Sequence, residues 1–378
     1  MDNGNIIPQK SQERINYLDA ARGIAALMVL FYHFLGWKYH DRLLIKLGCI
    51  IFNGSDAVSF FFVLSGFVLA YPYLQLGKSL DIGKFYINRV FRIYPAFLVA
   101  LLINTWYALQ NDLAQNTLRT LYRIFIVNDF KFWEEALLLK GKPNFLVLDW
   151  TLTIEITMSF LMPFLIVIAM RGKRLIVWLT LSTFLFSYIT GHFFIHFALG
   201  LLACAYYQDI RSESFKRSKW YRYRLGILAV AIVLFSLRHI DRISPFGPTY
   251  NYLAELFQLD LFTYSAIASF VFMVYMIVSR KMQKLLQNRI LLFLGKISYG
   301  IYLMHWIFVW SIFDNWDVLA QYFPNYKTAF AALLIVCLLA TIISAWILYY
   351  AIELPFIKLG KRITKKMAPT ITINPEQK

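Results

Sequence analysis

The chain has 378 residues, of which 59% are hydrophobic, 18% aromatic and only 16% charged, with a net charge of +17. Soluble domains carry about 25% charged residues, so this composition excludes a soluble globular protein and predicts an all-α, polytopic transmembrane helix bundle. It offers no soluble stretch large enough for a nucleic-acid face, and Cys49, Cys204 and Cys337 lack the spacing of a metal site or a disulfide framework.

The first seventeen residues are polar and are expected to form a cytoplasmic N-terminal segment ahead of an uncleaved anchor helix. Apolar windows close to the length of a bilayer span then fall at 18–37, 56–76, 93–111, 151–170, 175–190, 192–208, 225–240, 259–279, 290–313 and 328–351. About ten spans are expected. The fifth and sixth meet around Gly191, and 112–149 has room for an interfacial helix. A membrane domain over 18–355 is followed by a basic, then polar, segment 356–378, read as a cytoplasmic tail with no room for an appended catalytic domain.

Lys and Arg accumulate in cytoplasmic loops. With the N-terminus inside, the inner segments hold 25 of the 38 Lys and Arg, so both termini are expected on the cytoplasmic side. That orientation assigns depths to the ionisable residues within spans, which are functional suspects because burying charge in a bilayer is costly. Arg22 and His33 lie eleven residues apart in the first window. They share a helix face and are separated by about 16 Å of rise, with Arg22 toward the cytoplasm and His33 toward the far side. Glu155, a turn and a half below an expected interface residue, Trp150, is placed at the depth of His33. His192, His196 and His305 join the outer half, whereas Arg89, Arg92 and Glu353 join Arg22 in the inner half.

Arginines at a cytoplasmic mouth suit phosphate groups through bidentate hydrogen bonds. A histidine beside a carboxylate suits general-base work on a hydroxyl. Together they match a cytosolic acyl-coenzyme A whose arm reaches an acceptor across the membrane. Plainer readings stand beside these. His33 also suits a histidine snorkelling to outer headgroups, Arg22 an ion pair with Asp19, and Glu155 a purely structural hydrogen bond. Ser65 and Gly66 suit a close helix contact as well as a nucleophile, Lys296 an inner-interface snorkeller, and Arg89 and Arg92 anionic lipid headgroups. Intramembrane Arg and His would equally line the path of a transporter or channel for an anionic solute.

The order of these residues resembles the acyltransferase-3 family of integral membrane acyltransferases. The matching pieces are LDAARG through His33, FFFVLSGFVLAY around Ser65, RVFRIYP with Arg89 and Arg92, DWTLTIE with Trp150 and Glu155, LGKISYGIYLMH with Tyr299 and His305, and YYAIELPF with Glu353. One departure is Ala21 where the family more often has Leu, a packing change. The resemblance implies transfer of an acyl group, usually acetyl, from acetyl-CoA to a hydroxyl of a surface glycan or lipid-linked oligosaccharide of the O-antigen or exopolysaccharide type, in a bacterial inner membrane and without a metal. An N-acyl or succinyl transferase of the same fold is the variant. In this reading His33 and Glu155 are catalytic, Arg22, Arg89 and Arg92 bind the donor, and Trp150, His196, Tyr299 and His305 contact substrate. Transfer is expected to be direct, with an acyl intermediate on His33 or Ser65 as the other route.

Overall fold

A computed structural model describes residues 15–36, 48–138, 145–190, 193–240 and 261–373. Trp37, His40, His192 and the 241–258 connection lie outside the described residues, as does the side chain of His239.

The described chain is helical over most of each apolar window, with breaks at Leu109, Tyr206 and Ile297. Asn16–Gly36 (α1) carries both Arg22 and His33. Gly54–Leu74 (α2) starts at Asn53, whose side chain accepts from the Asp56 amide, and Asn53 Nδ2 ties that corner to the Phe235 carbonyl at 2.5 Å. A two-residue strand, Leu80–Asp81 (β1), leads into Ile82–Ala108 (α3), which Asp81 caps. The 112–149 stretch holds Gln110–Tyr122 (α4), a π turn over Arg123–Val127 and the short Phe132–Ala136 (α5). Asp149–Arg171 (α6) ends where Gly172 adopts φ 156 and releases the chain into Lys173–Thr190 (α7).

Phe194–Ala205 (α8), Arg224–Ile240 (α9) and Leu261–Val278 (α10) follow. Arg280–Leu286 (α11), Arg289–Lys296 (α12), Ser298–Asp314 (α13) and Tyr326–Leu348 (α14) continue the bundle, and the last starts at an Asn325/Thr328 capping box. A π turn, Tyr349–Glu353, runs on into Leu354–Lys366 (α15), and Thr372–Ile373 (β2) pairs antiparallel with β1.

Among the described residues, five helices are long and apolar enough to cross a membrane, and up to seven if each sharply bent pair counts as one span. The protein is therefore an integral membrane protein. The bends are informative: the window at 290–313 is broken by a 72° turn between Lys296 and Ser298, and α10 meets α11 at 95°. Large apolar side chains face outward, among them Trp178 and Leu185 on α7 and Leu339 and Ile343 on α14. Such faces are stable in lipid, where apolar exposure carries no penalty.

Two close crossings hold the functional helices. A Cβ at Gly66 on α2 would collide with the Phe197 carbonyl, and one at Gly200 on α8 with the Val63 carbonyl, so the backbones touch where side chains are absent. A Cβ at Gly23 on α1 would lie 2.6 Å from the Gly295 amide nitrogen on α12. Both crossings rest on small residues within the sequence pieces singled out above.

Candidate active site

A cavity of about 350 Å³ opens among α1, α2, α3, α6, α13 and α15, at the lower end of the range for small-molecule sites. Arg22, Arg89, Arg92 and Lys361 supply its positive charge and Glu155 its carboxylate; Ser65, Asn88, Ser298 and Tyr299 add polar edges. Phe61, Phe62 and Leu152 form an apolar wall.

The register of α3 sets the two arginines. Arg89 Nη2 donates to Glu155 Oε1 at 2.7 Å and its Nε to Ser159 Oγ at 3.1 Å. Ser159 in turn donates to the Glu155 carbonyl, so one turn of α6 grips Arg89 twice. Arg92 is exposed and has no hydrogen-bond or ion-pair partner among the described residues. Arg22 faces Asp19 at 3.5 Å, a loose pairing that leaves its guanidinium available to a ligand. Tyr299 donates to the Ile93 carbonyl at 2.9 Å, which fixes α13 against α3. Glu353 is buried behind the cavity, within electrostatic reach of Arg92 and Arg22.

His33 is elsewhere on α1. Its ring stacks on that of His305 (centroids 5.4 Å apart, 26° between planes) and meets Trp306 edge-on at 5.2 Å. It has no hydrogen-bond partner among the described residues. His305 is fully buried; its Nδ1–H donates to the Ile301 carbonyl at 3.2 Å, which leaves Nε2 as a lone-pair acceptor with no partner among the described residues. The backbone bond thus places a proton on Nδ1 of His305.

Tyr302 connects the two regions. It lines the cavity, its ring is 5.9 Å from that of His305, and its hydroxyl is 2.6 Å from Thr151 Oγ1. Thr151 gives its own proton to the Leu148 carbonyl, so the phenol is the donor in that bond. An arginine-lined cavity, then a tyrosine–threonine bridge, then a histidine pair follow one another along α1 and α13.

The sequence-based pairing of Glu155 with His33 is corrected here: the carboxylate is bonded to Arg89 at the cationic end. The depth count started from Trp150 as an interface marker, but Trp150 packs against Phe193 at 5.8 Å, and Asp149 before it is fully buried. His196, expected near the acceptor, is fully buried between α8 and α2, with Nε2 3.1 Å from Ser59 Oγ and its ring near those of Phe193 and Phe62. Ser65 and Gly66 divide the two roles weighed for them: Ser65 lines the cavity, and Gly66 makes the helix contact. Lys296 is exposed at the α12–α13 bend. Sequence reasoning missed Thr151, Ser159, Tyr302 and Lys361. The i, i+4 spacing of Glu155 and Ser159 was the available sign for one of them.

A membrane-spanning bundle has here a cationic cavity and, beyond it, a stacked histidine pair, and comparison with known proteins gives its kind. Residues 15–350 match the model of the acyltransferase domain known as Acyl_transf_3, and the chain belongs to that family of membrane acyltransferases. It is also similar, with 26% identity over 304 residues, to a protein of Acidianus two-tailed virus named "Putative acetyltransferase ORF330", covering 75% of this chain and 80% of that one. No solved structure matches.

Proposed function

We propose that the chain moves an acetyl group from acetyl-CoA to a hydroxyl of an extracytoplasmic or lipid-linked surface glycan, with both termini of the protein in the cytoplasm. The observation that carries this reading is that one helix, α1, holds Arg22 in the cationic cavity and His33 against His305 beyond it. The donor's phosphates would sit among Arg22, Arg89 and Arg92, and its pantetheine arm would run along the apolar wall toward Tyr302.

His33 then acts as general base. It takes the proton of the acceptor hydroxyl, the oxygen attacks the thioester carbonyl, and the tetrahedral intermediate expels the coenzyme thiolate, which is protonated on leaving. His305, whose Nδ1–H is held by the Ile301 carbonyl, lies against the ring that gains the charge. Glu155 serves through Arg89, whose fork it orients. Trp150 and His196 are reserved for packing around the acceptor side. The family match sets an enzyme ahead of a transporter or channel.

The test uses purified protein with isotope-labelled acetyl-CoA and extracted envelope glycans. Labelled glycan is expected with the natural chain, and a loss of about 10² to 10⁴-fold with His33→Ala at unchanged protein level. Full transfer by that variant would overturn the assignment of His33. A mass increment of succinyl, or label on nitrogen, would replace the acetyl ester while keeping the site.

A further inference from the structure

The basic segment after Pro355 does not trail away from the bundle. As α15 it packs along α3, and a Cβ at Gly360 would lie 2.8 Å from that of Phe91. Phe91 and Phe356 also meet ring to ring. That contact fixes the rotation of α15. Lys358, Arg362, Lys365 and Lys366 are exposed, as a solvated or headgroup-facing set would be. Lys361 is exposed as well, but it and Ile357, one helical turn apart, line the cavity.

Beyond α15 the chain is clipped to the start of α3. Thr370 Oγ1 donates to Asp81 Oδ1 at 2.6 Å and accepts from the Gly83 amide at 3.0 Å, while the Ile82 amide donates to the Ile371 carbonyl at 3.2 Å. β2 then pairs with β1. Asp81 is also the cap of α3, the helix that carries Arg89 and Arg92. One carboxylate therefore ties the C-terminal segment to the base of the arginine helix.

Lys361 has no hydrogen-bond or ion-pair partner among the described residues. The cavity lining holds four cations, Arg22, Arg89, Arg92 and Lys361, against the single carboxylate of Glu155. Such an excess repels a cationic ligand and draws a polyanion. A lysine ammonium binds phosphate as a mobile point charge beside the fixed forks of arginine.

We propose that Lys361 is a phosphate-binding residue of the donor site, presented by a C-terminal helix that closes the cavity and is held shut by the Asp81–Thr370 clip. The proposal rests on the reading of acetyl-CoA as donor. It assigns the ligand class at this end of the cavity as a polyphosphate, and separates Lys361 from Lys358, Arg362, Lys365 and Lys366, which do not line the cavity.

The experiment compares acetyl-CoA with S-acetyl pantetheine, which has the same thioester and no phosphates, as donors for the natural chain, Lys361→Gln and Lys361→Arg. Lys361→Gln is expected to raise KM for acetyl-CoA about ten-fold with kcat preserved, to leave KM for S-acetyl pantetheine unchanged, and to be largely rescued in Lys361→Arg. Lys358→Gln, on the outward face, leaves both constants unchanged. Equal effects on the two donors, or none on either, overturn the proposal; equal effects are what a lysine holding a lipid headgroup would give. Failure of the natural chain to use either donor instead overturns the reading of the donor itself.

Discussion

Removing one partner of the Arg89–Glu155 pair is the sharpest test of the cationic cavity. The two side chains are 12% and 25% exposed and their closest atoms are 2.7 Å apart. At an effective permittivity of about 20, opposite charges at that separation attract by roughly 6 kcal/mol, against which stands the cost of drying both groups. Loss of one member from a buried pair costs about 3 to 5 kcal/mol, because the other charge stays behind. Glu155→Ala leaves Arg89 with only Ser159 Oγ and three further cations lining the same cavity. It is expected to be destabilised by about 3 kcal/mol. Arg89→Ala leaves Glu155 among those remaining cations and should cost less. The assay is thermal unfolding in detergent, followed by labelling of Cys49, Cys204 and Cys337, which are all buried in the folded chain. The double variant should recover at least about 1 kcal/mol relative to the sum of the singles. Strict additivity, or a Glu155→Ala cost below about 0.5 kcal/mol, refutes the reasoning.

Gly66→Ala places a methyl against the Phe197 carbonyl and should cost about 1 to 3 kcal/mol in the same unfolding assay, with a larger loss for Gly66→Leu. Tyr302→Phe removes the donor to Thr151 and should cost about 1 kcal/mol; an unchanged melting temperature would show that the bridge is not formed in the membrane. Burial pushes the Asp81 carboxyl up, but hydrogen bonds from Thr370 and the Lys84 amide outweigh it and hold it down at about 2, below the ordinary 3.8. The contribution of the clip is therefore complete above about 3.8 and is lost as pH falls toward 2. Proteolytic release of the C-terminal segment should rise over that window and become independent of it in Thr370→Val.

Helix existence was legible because an apolar run of bilayer length has few other stable forms. Each expected window is mostly helical where the chain is described. The bend at Lys296–Ser298 was not legible, since no proline or glycine pair marks it and a break beside Ile297 looks like any other apolar residue in a window. Arg22, Arg89, Arg92, Ser65 and Tyr299 were singled out as ionisable or polar groups in costly surroundings, and the cavity contains them all. Partnership was harder. Whether Glu155 meets His33 or Arg89 depends on the relative heights of α1, α3 and α6, and a sequence fixes height only through interface markers such as Trp150, which here is half-buried against Phe193. Lys361 hid within a run of similar charges, where only the rotation of α15 against Phe91 separates it from its neighbours.

The crossing of Gly23 with Gly295 bears on how the protein can move. With no side chain between them, α1 and α12 cannot slide past each other without separating first. Arg22 is adjacent to one side of that contact, and the bend leading to Tyr299, Tyr302 and His305 begins next to the other. The cationic end and the histidine end are therefore carried on one closely packed frame of α1, α12 and α13. Substrate passage has to be accommodated by parts outside that frame: the Thr151 side of the tyrosine bridge, carried by α6, and the clipped helix α15. On the proposed reading, such a frame with movable parts at its two ends would select thioesters whose arm matches its length, whatever acceptor waits beyond.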